Sequence, residues 1–535
     1  MKRDNPFQHP EMSGSAHTLA WIRASWWIVL AAHILLVWWA PYWITQDGSA
    51  HLYTASVVWQ LFFENAPQLD AWFVINSPLN PTWGVTALLA ITSAFVGPAA
   101  AEKLLVSLII LLTAIAFRRV LGALGVRSPA ATWLIFPFLF NHLLWMGLYG
   151  FLLSTAGTLW LGGWLYDHWR TLSWRQSALL ALFFLALYFV HPLPAALLGA
   201  GGLVGIAWIQ WREQAGSFHL LRIMGGSWWK LALSGFPSGI CFALYLVGAE
   251  PGQGMAMGRG LSAVIDDVIT VSVLVPFSKT PQWWSTLLMA AMTIFSLRVL
   301  LLRLRSVMRW EGGDGLLILM VCLLFLMSWI PEGVTDGTLV SYRLVFFFWL
   351  AWLLWCGVWM NRHPHQPMAR LLPVAAVMAL VMQTVATVQH LREIQPFIRA
   401  VEEISKHIPD HAMVWPVVHN PQGRRPDGTM LSPRNPYFVH LGLRFLSGRR
   451  DVAALNAYQA EVDHFPLRFR FPNQHRYFRD GYDEKPGTYV IAEKPAEAWV
   501  LTAGSDEVIH SSITSRNTEF GVVGLAPVTA LRQVD

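Results

Sequence analysis

The residues best suited to chemistry lie in one short segment, ITQDGSAHLY, which directly follows the first long apolar run of the chain. Asp47 and His51 are four residues apart, so on a helix their side chains share one face. A carboxylate at the edge of an apolar run suits a general base that takes a proton from an acceptor hydroxyl or amine. Aspartate is also a strong helix N-cap, so a purely structural role for Asp47 remains open from the residues alone.

Further polar residues lie where other apolar runs begin or end, and polar groups at that depth usually face a cavity or a partner. His142 and His191 are candidates to bind a phosphate or a sugar hydroxyl, although a lone histidine there is more often structural. Arg343 begins a late apolar run, and its guanidinium must be matched by an anion. That anion is either a lipid phosphate or the nearby Glu332 or Asp336. The predicted substrate-binding set therefore has six residues: His51, His142, His191, Glu332, Asp336 and Arg343.

The motifs for several other chemistries are missing from the sequence. No HExxH or similar spacing supports a zinc site, and no protein metal ligands are predicted. Glu64 and Asp70 leave a bound Mg²⁺ or Mn²⁺ open, with solvated loop charges as the commoner explanation. No Walker A, GxGxxG or GxSxG motif occurs, which argues against nucleotide-driven pumping and a Rossmann donor site.

Composition identifies the elements that must position these residues. Of 535 residues, 55% are hydrophobic and 13% are charged, whereas soluble domains carry about a quarter charged residues. A spanning helix needs roughly 17–25 apolar residues. The runs of that kind predict an α-helical polytopic membrane protein with about eleven transmembrane helices, at residues 21–44, 101–121, 129–147, 150–166, 176–190, 193–211, 229–247, 283–303, 315–330, 343–360 and 371–388.

The apolar stretch Trp83–Val96, between Pro81 and Pro98, is too short to be counted as a span. If it lies along the outer surface, most arginines and lysines of the membrane loops fall on the cytoplasmic side, as the positive-inside rule requires. The N-terminus is then cytoplasmic and the C-terminal region is periplasmic. The basic residues of the membrane part that remain outside are Lys103, Arg259, Lys279 and Arg343.

The chain accordingly divides into three parts: a cytoplasmic tail (1–20), a transmembrane domain (21–389) with a long first periplasmic loop (45–100), and a periplasmic domain (390–535). The last part has the composition of an ordinary globular domain. Its pattern predicts a small α/β unit, with a helix near 396–407 and strands near 412–418, 488–492 and 507–513.

This layout resembles the GT-C superfamily of integral-membrane glycosyltransferases, and within it a bacterial branch with the pattern D-G-x-A-H-L-Y, a G-[FY] region, an H-P turn and a late outer arginine. These correspond to Asp47–Tyr53, Gly150-Phe151, His191-Pro192 and Arg343. The resemblance covers roughly residues 1–388 and rests on the order of short motifs. GT-C enzymes use lipid-phosphate-linked sugars and typically invert the anomeric centre. Many relatives have paired acids in the first loop, whereas Gly48 and Ser49 follow Asp47 here, so metal dependence stays open.

The resemblance implies an inverting GT-C-type glycosyltransferase in the bacterial inner membrane, with Asp47 as the catalytic base and Arg343 on the lipid phosphate. Its partners would be a polyprenyl-phosphate-sugar donor, membrane lipids, and a periplasmic acceptor that is a glycan, a lipid or a protein. No nucleic-acid partner is expected. The alternatives are a non-enzymatic transporter of lipid-linked glycans and an assembly scaffold for envelope polysaccharide. A transporter usually has related halves, and no repeat is visible.

Overall fold

A computed structural model describes residues 16–213, 226–248, 259–305, 312–331, 339–364, 366–406, 408–418, 421–425, 427–470, 498–503 and 520–524. This part of the chain is mostly helical. Its α-helices are, in order, α1 (Ala16–Trp39), α2 (Gly48–Phe63), α3 (Pro67–Trp72), α4 (Trp83–Val96), α5 (Pro98–Ala123), α6 (His142–Trp145), α7 (Tyr149–His168), α8 (Trp174–Val190), α9 (Pro192–Glu213), α10 (Ser227–Gly248), α11 (Gly260–Ile269), α12 (Trp283–Arg305), α13 (Gly315–Trp329), α14 (Val340–Arg362), α15 (Pro367–Ser405) and α16 (Leu441–Leu446).

The chain has the helices of a multi-pass membrane protein. In the described ranges, six helices are long and apolar enough to cross a bilayer, namely α5, α9, α10, α12, α14 and α15. Each coincides with a predicted span. Apolar helices of 10 to 17 residues account for three more predicted spans, in α1, α8 and α13, and for the stretch Trp83–Val96. The predicted span at 150–166 forms the 20-residue helix α7.

The single helix predicted over 129–147 is wrong. The chain instead forms a 3-10 helix, Pro129–Phe138, and then the four-residue helix α6. Pro137 has no N–H to donate within a helix. Asn141 then starts a new helix, because its side-chain oxygen accepts a hydrogen bond from the N–H of Leu144 at 3.0 Å. Pro137 and Asn141 therefore interrupt the single α-helix that the apolar residues predict.

Helix α15 runs for 39 residues and passes through residue 390, where the sequence predicted the start of the C-terminal domain. The last predicted span and the helix predicted near 396–407 are one element. The reason is a continuous apolar stripe, since Leu391, Ile394, Ile398 and Val401 are all buried at helical spacing. The helix thus continues without a break from the last predicted span into the C-terminal region.

The C-terminal region contains a four-stranded sheet in the order β3-β2-β5-β6, formed by β2 (Met413–Val418), β3 (Ala453–Ala454), β5 (Ala498–Ala503) and β6 (Phe520–Gly524). Strand β2 is parallel to β3 and β5, and β6 is antiparallel to β5. The strand predicted at 412–418 is confirmed as β2. The strands predicted at 488–492 and 507–513 lie outside the described residues.

The first loop and the C-terminal region pack together. Strand β1 (Phe73–Ile75) in the loop pairs antiparallel with β4 (Leu467–Phe469). The carboxylate of Asp451 accepts hydrogen bonds from the backbone N–H groups of Gln68 and Leu69 at 3.1 and 2.9 Å. These contacts bring residues almost 400 positions apart onto the same side of α2.

Candidate functional site

Asp47 lies at the end of the segment that joins α1 to α2, and backbone contacts hold this segment in place. The N–H groups of Gln46 and Asp47 donate to the carbonyl oxygens of Trp145 and Met146 at 3.0 and 3.1 Å. Gly147 follows that turn with a φ of +82°, which favours glycine. A Cβ at Gly147 would also lie 2.9 Å from the N of Gly48. The site therefore depends on two glycines that allow close backbone approach.

A buried polar network supports the same segment from below. The Tyr149 hydroxyl donates to Oε1 of Glu102 at 2.7 Å and lies 2.8 Å from Oγ1 of Thr45. Thr45 in turn accepts from the N–H of Gly48 at 3.1 Å. The second oxygen of Glu102 accepts from the guanidinium of Arg444, and both side chains are buried. This network joins α5, α7 and the C-terminal region beneath Asp47.

The side chain of Asp47 points away from the helix that it precedes. It occupies the N-cap position of α2, yet within the described part of the chain it makes no capping hydrogen bond. Its partners are instead the Tyr458 hydroxyl, with which it is hydrogen bonded, and the His440 ring, whose Nε2 lies 3.8 Å from Oδ1. The carboxylate thus faces a group of side chains from the C-terminal region.

Burial raises the pKa of Asp47 to about 7. The hydrogen bond from Tyr458, the positive charge of Arg343 and a hydrogen bond from Gln46 each act in the opposite direction and lower it. The carboxyl still reaches solvent, because 17% of the side chain is exposed. A carboxyl that titrates near neutral pH can both take and return a proton, which is the property of a general base.

Three histidines, His51, His440 and His464, lie around Asp47, and all of them are neutral at pH 7. Burial lowers the pKa of His51 to about 4 and the pKa values of His440 and His464 to about 3. The His51 Nδ1 lies 3.1 Å from Nε2 of Gln459. The His440 ring stacks on Tyr458, with the ring centroids 4.4 Å apart. These rings therefore offer neutral hydrogen-bonding nitrogens and flat apolar faces.

Arg343 supplies the positive charge of the group. It lies in the first turn of α14, with Nη1 at 3.1 Å from Nε2 of His191. Its guanidinium lies over the ring of Phe151, 6.0 Å from the centroid. Its charge lowers the pKa values of Asp47 and His464. The predicted residues Asp47, His51, His191 and Arg343 are thus brought together.

His142, a further predicted substrate-binding residue, is not part of this group. The His142 side chain is buried against Asn435, with Nδ1 at 3.3 Å from Nδ2, and its ring packs near Tyr342. Glu332 and Asp336 lie outside the described residues, so a carboxylate partner for Arg343 from that turn remains open. Asp70 pairs with Arg470 at 2.8 Å.

The described residues contain no group of three or more His, Cys, Asp or Glu side chains arranged to hold a metal ion. The positions around Asp47 are filled by a tyrosine and by histidine rings with low pKa values. Of the two acids that left Mg²⁺ or Mn²⁺ open, Asp70 is paired with Arg470 and Glu64 is the C-cap of α2.

The residues that sequence reasoning missed are His440, Tyr458, Gln459 and His464, all from the C-terminal region. The positive-inside rule predicts that this region and the first loop lie on the same side of the membrane, but it names no residue. Nothing in local spacing ties Tyr458 to Asp47 across the membrane domain. Strand pairing between β1 and β4 and the capping of α3 by Asp451 create that proximity.

Comparison with known proteins adds no assignment: no protein-family model, no curated protein and no solved structure matches this chain.

Proposed function

We propose that this protein is a GT-C-type glycosyltransferase that moves a sugar from a polyprenyl-phosphate-linked donor to a periplasmic glycan, lipid or protein. The observation that carries the proposal is the pairing of two groups in one site. Asp47 is a partly buried carboxyl with a pKa of about 7, and Arg343 is near enough for its charge to act on that carboxyl. A base and a phosphate-binding cation close enough to interact are what sugar transfer from a lipid phosphate requires.

In the proposed reaction, the ionised Asp47 takes the proton of an acceptor hydroxyl. The acceptor oxygen attacks the anomeric carbon of the sugar and forms the new glycosidic bond. The bond from that carbon to the phosphate oxygen breaks, and the electron pair leaves with the lipid phosphate. Arg343 stabilises the charge of this leaving group, and His191 orients the guanidinium through the 3.1 Å contact. One displacement inverts the anomeric centre.

The neutral histidines fit this role. With pKa values of about 3 to 4, His51, His440 and His464 add no positive charge that would compete with Arg343 for the phosphate. Their rings and the Tyr458 ring give flat surfaces against which a sugar can pack. The sugar would lie between the carboxyl of Asp47 and the guanidinium of Arg343.

The proposal includes a topology with about eleven spans, a cytoplasmic N-terminus and a periplasmic C-terminal domain in the bacterial inner membrane. Six long apolar helices and several shorter ones support a multi-pass arrangement. One of these crossings is the segment 129–147, which passes through the membrane region as a 3-10 helix followed by α6 and is buried among the neighbouring helices. The distribution of loop arginines supports the orientation.

The test is Asp47→Asn, with Asp70→Asn as the matched control. Asp70 is a first-loop acid that is mostly exposed and paired with Arg470, so its change should leave turnover intact. Membranes containing each variant at equal protein level are supplied with lipid-linked sugars, and release of polyprenyl phosphate is followed by mass spectrometry. We expect Asp47→Asn to lose turnover by about a hundredfold or more, the size of a general-base contribution. Full turnover in Asp47→Asn would overturn the proposal, and movement of intact lipid-linked sugar without phosphate release would favour a transporter.

A further inference from the structure

A polar turn of the first loop, residues 76–82, contacts a backbone segment of the C-terminal region. The side-chain Nδ2 of Asn80 donates hydrogen bonds to the carbonyl oxygens of Asp463 and Phe465 at 2.7 and 2.9 Å. The Nδ2 of Asn76 donates to the same two oxygens at 3.0 and 3.1 Å. A carbonyl oxygen has two lone pairs, so each one can accept from both asparagines. Asn80 is buried, so water has little access to its side chain.

Thr82 completes this contact. Its hydroxyl donates to the carbonyl oxygen of His464 at 2.6 Å, 382 positions away in the sequence. Thr82 occupies the N-cap position of α4, yet within the described residues its side chain makes no capping hydrogen bond. The side chains of Asn76, Asn80 and Thr82, which we call the clasp, therefore hold the carbonyl groups of three consecutive residues, 463–465.

The clasp is attached to the membrane helices. Tyr188, a buried residue of α8, donates its hydroxyl hydrogen to the carbonyl oxygen of Leu79 at 2.7 Å. The C-cap of α8 is His191, which contacts Arg343. The same end of α8 therefore supports both the clasp and the guanidinium.

The segment that the clasp holds packs on the residues around Asp47. The ring of Phe465 contacts the rings of His51 and Tyr458, with the centroids 5.8 and 6.2 Å apart. Tyr458 is the hydrogen-bond partner of Asp47. Phe465 itself is only 7% exposed. A shift of the backbone at 463–465 would therefore move Phe465 and admit water beside Asp47.

We infer that the clasp positions the candidate site: it fixes the backbone at 463–465 and so keeps Phe465 packed around Asp47. Its members act through Phe465, so each is a positioning residue rather than a catalytic one. The inference rests on the proposed function only for the role of Asp47 as the base. A contact that merely joins the first loop to the C-terminal region would leave the carboxyl of Asp47 unchanged when it is lost.

The test uses the double variant Asn80→Leu/Thr82→Val of the full-length protein in nanodiscs, which keeps the approximate side-chain volumes and removes the donors. Infrared titration follows the carboxyl of Asp47, and the spectrum of Asp47→Asn identifies its band. Burial is the largest influence on the pKa of Asp47 and raises it. We therefore expect this pKa to fall from about 7 by about one unit or more as water enters. Hydrogen exchange of residues 463–470 should quicken about tenfold or more, with residues 98–123 unchanged.

Two outcomes would overturn the inference. Faster exchange at 463–470 without a fall in the pKa of Asp47 would show a connection that has no influence on the site. Wild-type exchange at 463–470 in the double variant would show that the clasp does not hold the segment.

Single variants keep the test decisive if the double variant fails to fold. Thr82→Val removes the hydroxyl and Thr82→Ser keeps it, so only Thr82→Val should lower the pKa of Asp47. Thr92→Val is the control and should match the wild type, because the Thr92 hydroxyl donates within α4, to the carbonyl oxygens of Leu88 and Leu89. Identical titrations of Asp47 in Thr82→Val and Thr82→Ser would then overturn the inference.

Failure of this inference and failure of the proposed function are distinguishable, because neither the titration nor the exchange measurement needs sugar transfer. Full turnover in Asp47→Asn, with a lowered pKa of Asp47 in the double variant, would refute the transferase and leave the role of the clasp standing. Loss of turnover in Asp47→Asn, with an unchanged pKa in the double variant, would do the reverse.

Discussion

The hydrogen bond from Tyr458 to Asp47 should set the pH range in which the protein works. Burial raises the pKa of this carboxyl to about 7, and the Tyr458 hydroxyl holds the value down. Tyr458→Phe removes that donor but keeps the ring that stacks on His440. The pKa of Asp47 should therefore rise in the variant.

The size of this change follows from ordinary magnitudes. A hydrogen bond to a charged group contributes about 1.5–3 kcal/mol, and one pKa unit corresponds to about 1.4 kcal/mol, so the pKa should rise by about one to two units. In the proposed reaction the ionised carboxylate is the base, so activity should increase with pH through the pKa of Asp47. With a rise of one unit, the ionised fraction at pH 7 falls about fivefold, and activity returns as the pH approaches 9.

The assay is the rate of polyprenyl phosphate release from pH 5 to 9, accompanied by infrared titration of the Asp47 carboxyl. The titration does not depend on the proposed reaction. Tyr437→Phe is the control, because its hydroxyl is buried with Asn435 as a partner rather than Asp47. A Tyr458→Phe variant whose activity falls equally at every pH, with the carboxyl still titrating near 7, would refute this reasoning.

Three further predictions concern stability. The pKa of Asp47 is raised from 3.8 to about 7 in the folded protein, so the stability that the protonated carboxyl contributes is fully present below pH 3.8 and is lost as pH rises through about 7. Asp47→Asn should therefore gain up to roughly 4 kcal/mol of folding stability over the wild type at pH 8. Equal shifts of the melting temperature at pH 4 and pH 8 would contradict this. Gly48→Ala should destabilise the folded protein by about 1–3 kcal/mol, because the new Cβ would lie 2.1 Å from Oε1 of Glu102. In the same thermal-unfolding series, Gly122→Ala should be neutral or stabilising, because no described atom lies within 4 Å of its Cβ. Glu102→Gln should cost about 3–5 kcal/mol by leaving the buried guanidinium of Arg444 uncompensated, and unfolding in detergent within about 1 kcal/mol of the wild type would count against that ion pair.

The sequence predicted the six long apolar helices because their signal is local. Segments such as Pro98–Ala123 and Val340–Arg362 contain enough apolar residues to be recognised from hydropathy alone. The prediction was wrong where apolar content and backbone geometry disagree. Pro137 and the Asn141 cap interrupt a segment that hydropathy alone treats as one span.

Half of the residues in the candidate site could also be predicted from local sequence signals. Asp47, His191 and Arg343 could be predicted because each stands at the end of an apolar run, and His51 because it lies four residues after Asp47. Tyr458 could not, because its role depends on a tertiary contact with a residue more than 400 positions away. The N-cap alternative for Asp47 was also beyond the sequence, since only side-chain orientation decides it.

The contribution of Tyr458 and His440 has a consequence for how the protein is made. Ribosomes synthesise the chain from its N-terminus, so every membrane helix emerges before these two residues do. Asp47 therefore lacks its tyrosine partner until residue 458 has been made, and the pairing of β1 with β4 must wait for residue 469. The apolar helices can therefore insert and pack in the bilayer while the candidate site is still incomplete, and the site is completed only when the C-terminal region folds against the first loop.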